Sequence, residues 1–472
     1  MPNTTVAAVV LAAGGSTRFG RPKQLLTWEG RPLIVHAADT AWMAGLDPVV
    51  VVVGAAADHV IPLLDSRPVQ IVQNYRWREG LSSSVNVGVA ALPPQTKAAI
   101  FLPVDQPMIT PQLLQRFVAQ WKEGRAEIIV PRTEQGQRGA PVLFAEKFFA
   151  ELGQLSGDVG GRALFNRHKE HIVYLPIAEA QALADVDTPE VYHQLRDATR
   201  TRDRAHDFGE IRGLICDMDG VLWRGKQALP GLPRFFKLIR ELELEHVMVT
   251  NNSSHTPEEY VDKLQGMGVR TTVDHVLTSA VATARYVAEL RPGAAVYAMG
   301  GAGVREALRS HGLAYRDDPD TAHVDVVVVG WDRELTWQKL ATATRLILNG
   351  ATFVGTNPDL TFPMESSLAP GNGAQIAALE AATGIAPTIV GKPSPPLYQQ
   401  AMARMGTTPE TTLVIGDRLD TDILGGVRLG MPTALVLTGI SKRDEAARGP
   451  IRPSLIFEDL PALVDAWQAA GR

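Results

Sequence analysis

Along the chain, short uninterrupted apolar runs rich in Val and Ile alternate with longer stretches of mixed polarity. In the first part they are VAAVVLAAG (6–14), VVVVVG (49–54), AAIFLPVD (98–105) and EIIVP (127–131). After residue 207 come GLICD (213–217), HVMVTNN (246–252), VDVVVVG (324–330), TLVIGD (412–417) and TALVLTG (433–439). Runs of this length without polar alternation read as strands buried on both faces, and the intervals between them leave room for crossover helices. The expectation is an α/β protein: two Rossmann-like three-layer domains with mostly parallel sheets, the second carrying an inserted α/β cap.

Between the two series lies LRDATRTRDRAHDFGE (195–210), dense in charge and without apolar periodicity. It reads either as a linker or as a solvated helix end. With 472 residues, more than one core is expected. The division assigned is 1–200, a linker at 201–208, and 209–472. No repeat relates the halves.

Composition narrows the chemistry. Lys and Arg number 46 against 51 Asp and Glu, a net charge of −5, so there is no broad basic field for nucleic acid. Anionic ligands then require local pockets. A single cysteine, Cys216, excludes an internal disulfide framework and fits a reducing compartment. MPNTTVAAVVLAAGG carries no basic leader before its apolar run, and no segment reaches the ~20 apolar residues of a membrane span. A cytoplasmic protein is the expectation.

Candidate chemistry clusters where the apolar runs end. In open α/β sheets ligands bind outside the carboxyl ends of the strands. LAAGGSTRFGRPKQLL (11–26) leaves a strand through Gly14 and Gly15 into a loop bearing Arg18 and Lys23. Glycines admit an anion close to backbone N–H groups, and the two cations suit a triphosphate. Arg21 and Pro22 stand where a Walker A loop needs Lys and Ser or Thr, which disfavours a P-loop ATPase. Asp105 ends another strand, a position suited to Mg²⁺. Asp185 and Asp187 precede a helix start at Pro189, and Gly80 with Ser82, Ser83 and Ser84 offer small groups to surround a base or ribose.

These fragments resemble the MobA-like nucleotidyltransferases, above all the molybdenum-cofactor cytidylyltransferases, over about residues 5 to 195. The glycine-loop signature falls on Leu11, Ala12, Ala13, Gly14, Gly15, Arg18 and Lys23, with Phe19 where the family has Met. The DQP element falls on Asp105 to Pro107, the R-G-x-P element on Arg138 to Pro141, and the DTP element on Asp187 to Pro189. The resemblance implies Asp105 and Asp187 as a Mg²⁺ pair and Lys23 and Arg18 on the triphosphate. It also implies attack of an acceptor phosphate on a nucleoside triphosphate with release of pyrophosphate. The LAAG form leans toward CTP over GTP.

In the second half, Asp217 and Asp219 follow GLIC, and two carboxylates so close repel unless a cation or a shared proton compensates. Thr250 and Asn251 end another run, where a hydroxyl and N–H groups can hold phosphate oxygens; Lys392 follows a third, and Asp417 and Asp422 a fourth. Taken in order, these residues resemble the D-x-D-G, Thr, Lys and G-D-x₄-D motifs of the haloacid dehalogenase (HAD) superfamily over residues 210 to 445. The resemblance implies Asp217 as the nucleophile and Asp219 as general acid and base. Mg²⁺ would sit on Asp217, the Asp219 carbonyl and Asp417, with Asp422 behind them and Lys392 on the phosphoryl group. An acid at position 219 points to phosphatases.

About 140 residues separate Asn252 from Lys392, too many for a connection within a compact sheet. The core is therefore assigned to 209–253 and 388–472 and a cap to about 254–387, a layout that resembles the type IIA, NagD-like subgroup. Asp332, Asn357 and the loop PGNGA (370–374) are candidates to face the site, or else ordinary turn residues. The whole reads as a nucleotidyltransferase joined to a phosphatase of small phosphorylated metabolites. Nucleic acid and membrane are not expected partners, and the cap offers a homodimer contact. The alternative treats the first half as a non-catalytic nucleotide-binding module.

Overall fold

The computed structural model describes residues 6–15, 19, 22–124, 126–178, 180–203, 208–316, 323–363 and 368–470, without the side chains of 197–203 and 363. Two compact units divide the chain, 3–205 and 206–472. The helix Pro189–Asp203 runs into the stretch read as a linker. Residues 204–207 of that linker lie outside the described residues, as does Arg18.

The first unit is built on a seven-stranded sheet in the order Gln70–Gln73, Val49–Val53, Val6–Ala12, Ala98–Pro103, Val142–Ala145, Ile128–Thr133, Ile172–Ile177. Every pairing is parallel except those of Val142–Ala145, which runs against both neighbours. Side chains of a strand alternate between faces, so the uninterrupted apolar run Val6–Ala12 serves two cores. Val6, Ala8, Val10 and Ala12 enter one cluster; Ala7 and Val9 enter the other. The second face is covered by the helix Leu81–Ala90, in which Gly88 permits close approach: a Cβ there would stand 2.4 Å from Val9 Cγ1. Strand order reverses about Val6–Ala12, which opens a crevice at its carboxyl end beside Ala98–Pro103.

In the second unit a six-stranded parallel sheet runs Val276–Thr278, Glu245–Thr250, Gly213–Asp217, Thr412–Gly416, Thr433–Val436, Leu455–Phe457. The helix Leu232–Glu241 starts with a proline in its first turn and turns Leu232, Phe235, Phe236, Leu238 and Ile239 into the core. Each such side chain contributes ~1.5–3 kcal/mol by leaving water. A second parallel sheet, Ala314–Arg316, Ala295–Met299, Val326–Val329, Thr352–Gly355, Thr388–Ile389, forms the insert.

The insert differs from the expected span 254–387 at both ends. Val276–Thr278 pairs with Glu245–Thr250 and belongs to the core sheet, whereas Thr388–Ile389 closes the sheet of the insert. Both strands have three residues or fewer and sit at sheet edges, where backbone pairing rather than a long apolar run defines them.

Candidate active sites

In the second unit, parallel strands bring residues far apart in sequence to one end of the sheet. Gly213–Asp217 delivers Asp217, Glu245–Thr250 delivers Thr250, and Asp417 follows Thr412–Gly416. Lys392 lies ahead of the helix Pro395–Met405. The four central ionisable groups are nearly withdrawn from solvent: Asp217 is 7% exposed, Lys392 4%, Asp417 2% and Asp422 1%. Lys392 Nζ donates to Asp217 Oδ1 and, at 2.7 Å, to Asp422 Oδ1. Carboxylate oxygens of Asp217, Asp417 and Asp422 all lie within 4.8 Å of one another.

One ammonium among three buried carboxylates leaves negative charge in excess. Burial, reinforced by Asp422 and Asp417 against the pull of Lys392, pushes the Asp217 carboxyl well above its ordinary range. Burial and Asp422 lift Asp417 to about 6. For Lys392, burial opposes the charge but Asp217 and Asp422 outweigh it, and its pKa rises. Asp417 Oδ2 accepts the Ile440 N–H at 2.8 Å, while its buried Oδ1 has no hydrogen-bond partner. An orphaned carboxylate oxygen facing two further acids is a donor set that fits a hard divalent cation such as Mg²⁺. Gly220 closes the turn at φ +88°, and a Cβ there would lie 2.6 Å from Asp417 Oδ2, so both conformation and space call for glycine.

Asp219 is exposed to the cavity, and its Oδ1 accepts the indole N–H of the fully buried Trp223 at 2.7 Å. Above that indole, Lys263 Nζ lies 4.0 Å from a ring centroid. Thr250 lines the cavity and accepts the Asn252 N–H at 3.1 Å. The Asn251 side chain is used differently from the expected phosphate contact. Its Oδ1 accepts the Lys392 N–H at 2.8 Å and its Nδ2 donates to the Lys392 carbonyl at 3.0 Å. The amide therefore fixes the Lys392 backbone across 141 residues of chain, and through it the ammonium.

Core and insert together enclose a cavity of about 1030 Å³. Asn357, Gly371 and Asn372 line it, the last two from PGNGA. Asn357 Nδ2 donates to the Asn251 carbonyl at 2.7 Å, so the insert is tied directly to the strand end. Asp332 takes the turn reading rather than facing the site: it is buried, its Oδ1 accepts the Glu334 N–H at 2.9 Å and its Oδ2 pairs with Lys339 at 2.7 Å, while its neighbour Trp331, stacked on Phe362 at 4.1 Å, lines the cavity. Trp223, Lys263, Trp331 and Phe362 carried no motif signal; only their tertiary placement reveals them.

In the first unit, Lys23 Nζ donates to Asp105 Oδ2 at 2.8 Å and Asp187 Oδ1 at 2.7 Å, joining residues 82 and 164 positions away. Burial alone would lower the lysine pKa, yet the two carboxylates raise it. Two acids meeting at one point of positive charge are a donor set that a divalent ion also takes. Gln24, buried beside Lys23, donates to the carbonyls of Ala12 at 2.7 Å and Gly14 at 2.8 Å and so pins the glycine loop. The Ala13 carbonyl accepts the Ala55 N–H at 3.0 Å, and Gly15 stands against Trp77, 3.1 Å from where a Cβ would be. Gln106 Nε2 donates to Asp185 at 2.9 Å, and burial with nearby Asp105 raises the Asp185 pKa.

The serines depart from expectation. Ser82, Ser83 and Ser84 are buried, and their hydroxyls are engaged within the protein rather than presented to a ligand. Ser82 donates to the Val159 carbonyl and Ser83 to that of Gly80 at 2.8 Å, while Asn74 Nδ2 reaches Ser83 at 2.8 Å and Ser84 at 3.0 Å. They fix the start of Leu81–Ala90, with Gly80 at φ +104° ahead of it.

Comparison with known proteins follows the same division. Residues 8–172 match the model of the MobA-like NTP transferase domain, 214–314 that of haloacid dehalogenase-like hydrolases, and 389–463 that of HAD-hydrolase-like proteins. The acid sugar phosphatase of Staphylococcus aureus is 39% identical over 251 residues, 53% of this chain and 96% of that protein. Among solved structures, 4-nitrophenylphosphatase from Thermotoga maritima matches with TM-score 0.53 and 32% identity over 56% of this chain and 100% of its own. The p-nitrophenyl phosphatase from Archaeoglobus fulgidus gives 0.52 and 33% over 54% and 99%. Glycerol phosphate phosphatase from Mycobacterium tuberculosis, in complex with magnesium, gives 0.50 and 36% over 54% and 77%. No helix among the described residues is long and apolar enough to cross a membrane. By sequence, fold and the convergence of Asp217, Lys392 and Asp417, the chain belongs through its second unit to the haloacid dehalogenase-like hydrolases of the NagD-like, p-nitrophenyl phosphatase kind, and in its first unit it carries a MobA-like NTP transferase domain.

Proposed function

We propose that the chain is a bifunctional enzyme: a phosphatase of small phosphorylated metabolites joined to a nucleotidyltransferase. The phosphatase reading rests on one observation, the buried cluster in which Lys392 bridges Asp217 and Asp422 at the wall of a cavity shared by core and insert. An Asp217 oxygen attacks phosphorus as the bond to the leaving oxygen breaks, giving an aspartyl phosphate. Asp219 donates the proton that the departing oxygen takes up, then removes one from the water that cleaves the intermediate. Lys392 and Thr250 hold phosphoryl oxygens. Bound Mg²⁺, held by Asp217, Asp417 and the Asp219 carbonyl, would neutralise phosphoryl charge. Hydrolysis of p-nitrophenyl phosphate is expected to vanish in Asp217→Asn with the fold retained, and to be lost on addition of EDTA. Retained turnover in either case contradicts the reading.

For the first unit, the support is the convergence of Asp105, Asp187 and Lys23 beside the pinned glycine loop. The reaction is attack of a phosphorylated acceptor on a nucleoside triphosphate, CTP favoured over GTP. Acceptor-dependent release of pyrophosphate is expected from the whole protein and is expected to be abolished in Asp105→Ala. Nucleotide binding without any pyrophosphate from either form would instead make this unit a regulatory module.

A further inference from the structure

Among the described residues the R-G-x-P element makes no side-chain contact with Lys23, whose ammonium goes to Asp105 and Asp187, yet it carries an unusual juxtaposition. Arg132 and Arg138 face each other in an antiparallel bridge. The turn between them is closed by the Thr133 N–H, which donates to the Gln137 carbonyl at 2.9 Å, and by Thr133 Oγ1, which accepts the Gln137 N–H at 3.1 Å. Cross-strand partners project from the same face with Cβ atoms ~4.5–5.5 Å apart, and like charges in that position are destabilising. Both guanidinium carbons lie near Tyr174, 5.3 Å and 4.7 Å from its ring centroid. One aromatic ring attracts cations but does not cancel two of them. Both arginines are exposed, and among the described residues neither forms an ion pair with a carboxylate.

The pair also stands at the reactive end of the sheet. Ile128–Thr133 is parallel to Ala98–Pro103, because Val142–Ala145 runs against both, so Arg132 and Asp105 share a carboxyl edge. Beyond Arg138, Gly139 packs on Leu183, whose carbonyl accepts the Gln106 amide at 3.2 Å, next to Asp105. One strand, Ala98–Pro103, lies between this hairpin and Val6–Ala12, from which the glycine loop emerges. Two guanidiniums set side by side on bridged backbone and over one ring suit the oxygens of one phosphate dianion, which each can grip with paired N–H groups.

We propose that Arg132 and Arg138 form the subsite for the phosphate of the acceptor, as distinct from the phosphates of the nucleotide. The proposal rests on the transferase reading of the first unit, but binding tests it without turnover. The whole protein is treated with phenylglyoxal, and labelling at Arg132 and Arg138 is followed by peptide mass spectrometry. Inorganic phosphate and ribose 5-phosphate serve as probes, with sodium chloride of equal ionic strength and CTP as comparisons. Labelling at both arginines is expected to slow together, about fivefold at a probe concentration near four times its Kd. Protection of Arg138 is expected to be lost in Arg132→Gln. Labelling that phosphate leaves unchanged, that chloride slows equally, or that only CTP slows would overturn the proposal. Protection without pyrophosphate release keeps the phosphate subsite and removes the transferase reading; pyrophosphate release with unprotected arginines does the reverse.

Discussion

Asp219 has one oxygen committed and one available. Trp223 donates to Oδ1 at 2.7 Å, and Lys263 over the same indole strengthens the N–H as a donor. A carboxyl aimed in this way matters most where the leaving oxygen needs a proton. In Trp223→Phe, kcat/KM for an alkyl phosphate is expected to fall about 10- to 100-fold, a fraction of the roughly 10²–10⁴-fold that general acid catalysis contributes. For p-nitrophenyl phosphate, whose leaving group is stable as an anion, the change is expected to be far smaller. An equal loss for both esters would show that the indole only supports packing, and melting curves would register the ~1 kcal/mol expected for a truncated core ring. Asp217, Lys392 and Asp417 were legible in sequence because each ends an apolar run within a short motif. The Trp223 bond was not, nor the use of the Asn251 amide on Lys392, nor the internal engagement of Ser82 to Ser84. Hydrogen-bond choice depends on which backbone passes nearby, and that is set by tertiary register.

At the scale of elements, the edge of the core sheet has its own titratable contact. His246, at the start of Glu245–Thr250, stacks on His275 just before Val276–Thr278, with centroids 4.3 Å apart and rings 3° from parallel. Burial, and secondarily the charge of His275, lowers the His246 pKa from 6.5 to about 4. The native state therefore binds fewer protons than the unfolded chain between those values. Stability from His246 in this contact is full above pH 6.5 and falls as pH drops toward 4, by on the order of 3 kcal/mol. Urea midpoints at pH 7.5 and 5 check this: His246→Gln should flatten the difference, and an unaltered slope would assign it elsewhere. The same edge shows what sequence pattern conveys about elements. Long β-branched runs such as Val49–Val53 announce themselves. Val276–Thr278 is too short to do so, and the reversed direction of Val142–Ala145 is set by a tight hairpin that apolar patterning does not encode.

Across the whole molecule, both units follow one physical rule: a lysine bridges two acids at the carboxyl edge of a mainly parallel sheet, one at or just past a strand end (Asp217, Asp105) and one from a later turn (Asp422, Asp187). The division into two α/β units could be read from the two series of apolar runs, because each sheet needs its own core. Where the insert leaves and rejoins the core could not, since both junctions lie on edge strands of three residues or fewer. What the second unit does depends on whether Asp217 accepts a phosphoryl group. The most direct measurement is rapid acid quenching of the Mg²⁺-loaded protein during turnover of p-nitrophenyl phosphate, followed by peptide mass spectrometry. The peptide containing Asp217 should carry the mass of one phosphoryl group, absent in Asp217→Asn. Sustained turnover with that peptide never modified would contradict the account.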